Sequence, residues 1–498
     1  MSITQTSPTR ATTGSNHRWL ILAVLAVAQL MVVLDATIVN IALPEAQHAL
    51  GFSDGQRQWV ITAYSLAFGS LLLIGGRIND LFGRKNSFIV GLIGFAAASA
   101  LGGWSPTFEV LVTARALQGV FGALLAPAAL SLLAVTFAGS EDRGKAFGIF
   151  GAVAGAGGAI GLLLGGVLTE YVSWNWCLYV NVVFAVIALI GAIMLLPKHV
   201  QEGARTPIDW AGTVLVTAGL FLVVFGFANS ESNGWTDALT LFPLVLGVVL
   251  LGAFVWVQTK VSHPLLPVHI LLDRMRGASY LVMLISAIGM FAVFLFLTFY
   301  LQQTLGFSPV ETGLAFLPMV GSIAITAALA GSVLVTRLSP KVMVGVGLSV
   351  SALGMVFLTT IKIDSSYVSG VVPGLIMIGI GLGTVFANAM SLSTYGVEAG
   401  DAGVASATVN TAQQVGGSIG VALLSSFAAT AATNYVSDHS PSGPDGMQAI
   451  AEGASMASYH AAFWWAAGFF ALGALVAAVV YPNKIPEIDV NAEPVIGH

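Results

Sequence analysis

From Trp19 almost to Tyr481 the chain is a succession of apolar stretches of roughly 20 residues, each long enough as a helix to cross a ~30 Å hydrocarbon layer. Charged residues make up only 8% of the chain and hydrophobic ones 56%, so lipid rather than water must cover most of the folded surface. A closed β-barrel would be written as short segments of alternating hydrophobicity. Continuous apolar runs predict instead an all-α polytopic membrane protein.

The runs place helices near 19–42, 57–76, 86–104, 107–136, 146–170, 176–196, 209–228, 239–259, 276–302, 312–335, 342–360, 368–392, 404–433 and 460–482, about fourteen spans. An even number puts both termini on one side. Arg57 and Lys362 fall on the other side and Arg115 inside a span; the remaining fifteen of the 18 Lys and Arg residues lie on the side of the N-terminus. Positive residues collect on the cytoplasmic face, so both termini are expected in the cytoplasm, in a multi-pass protein of the plasma or inner membrane. The polar start Met1 to His17 lacks the apolar core and cleavage site of a signal peptide, and Trp19 onward reads as a retained first helix.

The expected organisation is a tail (1–18), a six-helix bundle (19–200), a two-helix insert (201–262), a second six-helix bundle (263–482) and a tail (483–498). GGRINDLFGRK after span two and AGSVLVTRLSPK after span ten are a weak internal repeat, the mark of many secondary transporters. The loop from about Asn434 to Tyr459 carries SDHSPSGPDG and then a short helix-compatible stretch, and is expected to be solvated and without chemistry.

Several function classes drop out. No basic stripe supports nucleic-acid binding, and the single Cys177 cannot form an intrachain disulfide. His263 and His269 have no Cys or acidic pair at metal-ligand spacing, so no metal is expected. Gly139 to Ala146 nearly spells a phosphate-binding loop, but Ala146 stands where a Mg²⁺-binding Ser or Thr is needed and no strand precedes it, which argues against ATP. Gly416 to Gly420 has nucleophile-elbow spacing inside an apolar helix, where that turn cannot form. The chain does not read as an enzyme.

Between spans two and three stands Gly75-Gly76-Arg77-Ile78-Asn79-Asp80-Leu81-Phe82-Gly83-Arg84-Lys85, a glycine turn with mixed charge at the membrane face. Its glycines allow a tight reversal, and Asp80 can pair with an Arg or meet a helix N-terminus. The segment resembles the cytoplasmic-gate motif of the major facilitator superfamily, with Gly76, Arg77, Asp80, Gly83, Arg84 and Lys85 as its gating residues. Leu34 to Pro44 (LDATIVNIALP) is similar to the first-helix signature of that superfamily's fourteen-helix drug:proton antiporters. Arg115-Ala116-Leu117-Gln118-Gly119 with Pro127 resembles the fourth-helix motif, and Gly148 through Gly166 the glycine-rich fifth-helix antiporter motif. Ser173-Trp174-Asn175-Trp176 with Asn181 follows where the family writes SWRW and Asn. Leu162 replaces the usual Pro of the fifth helix and Asn175 the usual Arg. The resemblance implies a major-facilitator fold of two six-helix bundles plus two extra helices.

Asp35 is an isolated carboxylate inside an apolar helix, expensive there unless it has a partner or a function. It lies roughly 22 Å from the N-terminal face, while Arg115 lies roughly 12 Å deep from the opposite face. Both therefore reach the same outer half of a ~30 Å core and are plausible partners across helices one and four. Burial opposes ionisation of an acid and a nearby guanidinium favours it, so a pair that loosens in one conformation takes up a proton there and releases it on re-forming. The other readings are a static bridge between two helices and a direct contact of Asp35 with a cationic substrate.

In span five, glycines recur every three or four residues, Gly157, Gly161, Gly165 and Gly166 among them, giving a small face for close packing or for a moving interface. Gln29, Asn40, Tyr64, Gln118, Phe291, Tyr300, Gln302, Asn388, Asn410, Gln413 and Gln414 are candidates for a central substrate cavity, since an apolar pocket with scattered hydrogen-bonding groups suits a lipophilic ligand. Glu311 reads as a second titrating group or as an interfacial residue. The expected function is secondary active transport: proton-coupled export of a small lipophilic drug, antibiotic or metabolite by alternating access, with no cofactor and the proton gradient as energy source. Such multidrug efflux would confer antibiotic resistance. The expected partners are the substrate, protons and the bilayer. The alternative is a facilitator-type importer or a lipid or metabolite flippase on the same scaffold.

Overall fold

In the computed structural model the described residues are 15–137, 140, 142–196, 209–330, 334, 337–393, 395–397, 402–439 and 446–483. Most of both expected tails, the 197–208 stretch opening the expected insert, part of the Gly139 to Ala146 segment and positions 440–445 of the expected loop lie outside them.

The apolar runs fold as helices throughout. The first six are α1 (Ser15–Leu50), α2 (Asp54–Phe82), α3 (Arg84–Trp104), α4 (Phe108–Thr136), α5 (Arg143–Tyr171) and α6 (Trp176–Leu195). Two more, α7 (Trp210–Asn233) and α8 (Ala238–Gln258), pack on each other, and α7 also packs on α2. A short α9 (Val268–Leu272) leads to α10 (Arg274–Ala292), α11 (Pro309–Ala315), α12 (Leu317–Leu329), α13 (Pro340–Leu358), α14 (Val372–Ser393), α15 (Ala402–Asp438) and α16 (Gly446–Val480). Among the described residues, fourteen helical spans are long and apolar enough to cross a membrane, as the sequence predicts.

Polar residues at the span ends tie off the free N–H groups of the first turns. Asp209 accepts from Gly212 N–H at 2.8 Å, Asp237 from Leu239 N–H at 2.7 Å and Asp273 from Arg276 N–H at 2.9 Å. Glu311 closes a reciprocal cap with Ser308 at the start of α11, accepting from the Ser308 N–H at 2.9 Å.

Several elements differ from the expected ones: span ten is divided at Phe316 between α11 and α12, and span twelve opens with a π-helical turn over Tyr367–Val371. The ninth span is not one regular helix: after α10 the backbone widens into π-helical turns over Val293–Leu297 and Tyr300–Thr304. The distal loop is also much shorter than expected, because α15 runs to Asp438 and α16 starts at Gly446. Its sequence, rich in Ala, Met, Glu and Gln, favours helix, and Gly453 of α16 seats against the Tyr435 ring of α15, so the two helices continue as a packed hairpin.

The buried apolar residues show how the halves meet. Here "distal" means the membrane side opposite the termini. One large cluster joins the second half to the first, and the first half enters it only through the distal parts of its helices, from Leu34 onward in α1, Val60 and Ile61, Leu111, Leu162, and Trp174 to Leu178. Most of the rest of the first half has its own cluster around Leu25, Phe88, Phe95 and Leu133, with no member from the second half among the described residues; Leu66 and Leu73 of α2 instead pack in clusters with Val415, and with Ala405 and Val409, of α15. The distal side is thus closed by a shared core.

Candidate functional site

The expected pair forms. Asp35 of α1 and Arg115 of α4 lie 2.6 Å apart, Oδ2 to Nη1, with Asp35 fully buried and Arg115 1% exposed. An acid and a guanidinium held out of water must be paired and fully hydrogen-bonded, and the neighbours supply those bonds. Arg115 donates from Nε to the Val60 carbonyl at 3.1 Å and from Nη1 to Gln118 Oε1 at 2.8 Å. Its guanidinium carbon sits 4.5 Å from the centre of the Tyr64 ring, a cation–π contact. The second carboxylate oxygen, Oδ1, accepts from Gln118 Nε2 at 2.9 Å and from Asn181 Nδ2 at 2.6 Å, and Gln118 also donates to Ser99 Oγ at 2.8 Å. Five helices, α1, α2, α3, α4 and α6, therefore converge on one carboxylate.

Two of the residues expected in a central cavity, Tyr64 and Gln118, belong to this cluster instead. Asn181 and Ser99 were missed as site residues: the motif holding Asn181 was legible, but a buried serine in an apolar helix carries no signal of its own.

The fifth-helix glycines stand behind the acid. A methyl group on Gly157 would lie 3.0 Å from Val33 Cγ1, one on Gly161 2.1 Å from Thr37 Oγ1, and one on Gly165 2.9 Å from the Ile38 carbonyl oxygen. They bring α5 against the stretch of α1 that carries Asp35. Gly166 faces the second half, against Pro309 and Val310. With Leu162 in place of the usual Pro, α5 is one unbroken helix, and Asn175 donates to the Gly103 carbonyl at 2.7 Å where the family pattern has Arg.

Other contacts close the distal side between the halves. Gln302 donates from Nε2 to the Ile41 carbonyl at 3.1 Å, Glu170 accepts from Val310 N–H at 3.0 Å, and the Arg57 guanidinium lies 4.2 Å from the Phe299 ring centre. Gln302, expected in a cavity, is thus a contact between halves. Tyr300 donates to the Lys362 carbonyl at 2.8 Å, Phe291 packs on Gly417, and Asn40, Asn388 and Asn410 each donate to a carbonyl of their own helix. Gln29, Gln413 and Gln414 are half-buried, with Gln414 beside Gly69 of α2. The expected cavity residues are therefore spread over several packing surfaces rather than gathered at one.

At the α2–α3 turn, Gly83 has φ +85° and ψ 136°, a conformation closed to side-chain-bearing residues. Lys85 donates to the carbonyls of Leu196 and Ile193 at the end of α6, where a cation also suits the helix dipole. Gly76 lies beside Pro127 of α4, and Arg77 and Arg84 are half-buried. The Asp80 side chain lies outside the described residues.

The chain is similar to known proteins in sequence and in fold. The chain is 47% identical over 475 residues to the puromycin resistance protein pur8 of Streptomyces alboniger, covering 95% of this chain and 93% of that one. It is 35% identical over 425 residues to the cephamycin export protein CmcT of Amycolatopsis lactamdurans, covering 85% and 87%. To the lincomycin resistance protein of Streptomyces lincolnensis it is 33% identical over 409 residues, covering 82% and 84%. Among solved structures, the POT family transporter PepTSo superposes with a TM-score of 0.68 at 16% identity, over 93% of this chain and 97% of that one. The family profile described as Major Facilitator Superfamily matches residues 25–421. With its fourteen spans and its relatives, the chain belongs to the Major Facilitator Superfamily.

Proposed function

We propose that this protein exports a small lipophilic compound of the antibiotic class across the cell membrane in exchange for protons, with Asp35 and Arg115 as the coupling pair. The observation that carries this reading is the 2.6 Å ion pair itself, buried in lipid-spanning helices where an uncompensated charge is costly. A charge site that could have been apolar without loss of fold is retained where its acid can change charge as the helices move. The name of the cephamycin relative supports export, and those of the puromycin and lincomycin resistance proteins support the substrate class. The bias of Lys and Arg to the terminal side supports cytoplasmic termini, so the closed distal side faces outward. Energy comes from the proton gradient, with no ATP and no cofactor, and the protein moves its substrate without catalysing a reaction on it.

The glycine face of α5 gives this scheme a moving part. It lets α1 lie close to α5, and sliding of α1 along α5 within the first half, as the second half moves against Gly166, changes how tightly α1 presents Asp35 to α4. The test is reconstitution in vesicles with a lumenal pH dye. Addition of puromycin, cephamycin or lincomycin should release protons in the wild type and none in Asp35→Asn. Transport that persists at wild-type rate in Asp35→Asn would favour a facilitator or flippase on the same scaffold.

A further inference from the structure

One polar atom beside the buried acid has no hydrogen-bond partner. Asn181 donates from Nδ2 to Asp35 Oδ1 at 2.6 Å, while its own Oδ1 is buried and unpartnered among the described residues. Both ends of a buried amide are ordinarily bonded. Gln118, the other amide on the carboxylate, shows the contrast: its Oε1 accepts from Arg115 and its Nε2 donates to Asp35 and to Ser99. Turning Gln118 by half a turn would break three bonds and set an NH₂ against a guanidinium. Turning Asn181 breaks one bond and presents a carbonyl oxygen in its place.

We infer that Asn181 is a positioning residue that reverses its amide with the protonation of Asp35, giving NH₂ to the carboxylate and C=O to the acid; this rests on the reading of Asp35 as the proton-coupling group. A proton arriving at Asp35 binds Oδ1, because Oδ2 is held by the Arg115 guanidinium and a proton there would face a cation. The new O–H needs an acceptor, and Gln118 offers only N–H. The Asn181 carbonyl, turned inward, accepts it, and no other bond is made or broken beyond the amide's own hydrogen bond. When the proton leaves, the amide turns back.

The spacing suits this exchange. At 2.6 Å the contact is shorter than the usual ~2.7–3.2 Å of N–H···O and inside the ~2.5–3.0 Å range of O–H···O. The oxygen-to-oxygen arrangement therefore needs no movement of α1 or α6. The charged and titratable side chains facing the site are Arg115 of α4 and Tyr64 of α2; α3 presents Ser99, α5 its glycines and α6 Asn181, among the described residues.

The test is an acid-minus-alkaline infrared difference spectrum of the full chain in lipid, with asparagine isotope-labelled at the side-chain carbonyl. One asparagine carbonyl band should move to lower frequency on acidification as the Asp35 carboxylic acid band appears. Both signals should be lost in Asp35→Asn, and only the asparagine signal in Asn181→Leu. An asparagine band that stays fixed in the wild type, or moves equally in Asp35→Asn, overturns the inference. Should Asp35→Asn fail to insert, Asn181→Leu alone assigns the band. Vesicle transport separates the two failures: coupled transport by Asp35→Asn sinks the role of Asp35, whereas lost coupling in Asp35→Asn with no asparagine shift in the wild type sinks that of Asn181 alone.

Discussion

Gly166 of α5 and Pro309 at the start of α11 touch across the two halves: a methyl group on Gly166 would lie 2.6 Å from the Pro309 carbonyl oxygen. One turn away the contact is returned, with Gly313 of α11 against the Leu162 carbonyl at 2.7 Å on the same measure. Backbone faces backbone at both points, so no side chain can yield.

Gly166→Ala should therefore oppose distal closure while leaving each helix intact. Overpacking of this kind costs about 1–3 kcal/mol, and 1–2 kcal/mol is a roughly 5- to 30-fold change in a two-state population. The readout is a cysteine introduced by Thr312→Cys, at a fully buried position of α11. It should react several-fold faster with a membrane-impermeant maleimide from the distal side when Gly166→Ala is present. Equal rates would mean that closure does not depend on this contact.

Removing one member of the Asp35–Arg115 pair leaves the other charge buried alone, which typically costs about 3–5 kcal/mol. Arg115→Leu and Asp35→Leu should each lower the thermal midpoint of the purified protein. The double variant should recover most of that loss, yet move no protons in vesicles. Additive losses in the double variant would show that the two side chains are not energetically coupled.

Arg57 stands 4.2 Å from the Phe299 ring and 5.8 Å from the Phe296 ring. A cation over an aromatic face contributes about 0.5–2 kcal/mol and weakens with distance. Phe299→Leu should thus loosen the distal side more than Phe296→Leu, read by the same Thr312→Cys labelling. The reverse order would assign this contact to packing rather than charge.

At the α2–α3 turn, Gly83→Ala should cost about 1–3 kcal/mol, the strain of forcing a Cβ into a glycine-only backbone region. Asparagine tolerates the left-handed helical region, but ψ 136° lies outside it. Gly83→Asn should therefore fail to rescue, and a thermal melt of both variants decides the point.

The sequence was most legible where lipid imposes a rule on every residue. Span number follows from run length, and the pairing of Asp35 with Arg115 follows from two charges at one depth. The cavity candidates were less legible. Polar side chains such as Asn388 and Asn410 satisfy themselves on their own helix, at 2.7 and 2.9 Å, and composition does not separate these from groups that face a ligand. The long distal hairpin was partly legible: Asn434 to Tyr459 reads as a loop with a short helix-compatible stretch, and helix propensity with the Gly453–Tyr435 contact extends α15 and α16 over most of it.

What the amino-acid order determined alone is the solvent, the number of crossings, and which side chains are too costly to be idle. What only the tertiary structure decided is who meets whom. Beside the expected Arg115, Asp35 finds Gln118 and Asn181 at separations of 83 and 146 residues. Each residue turns a helix by about 100°, so the face that α6 presents to α1, and with it the orphaned carbonyl of Asn181, depends on how the helices pack and is written in no local pattern.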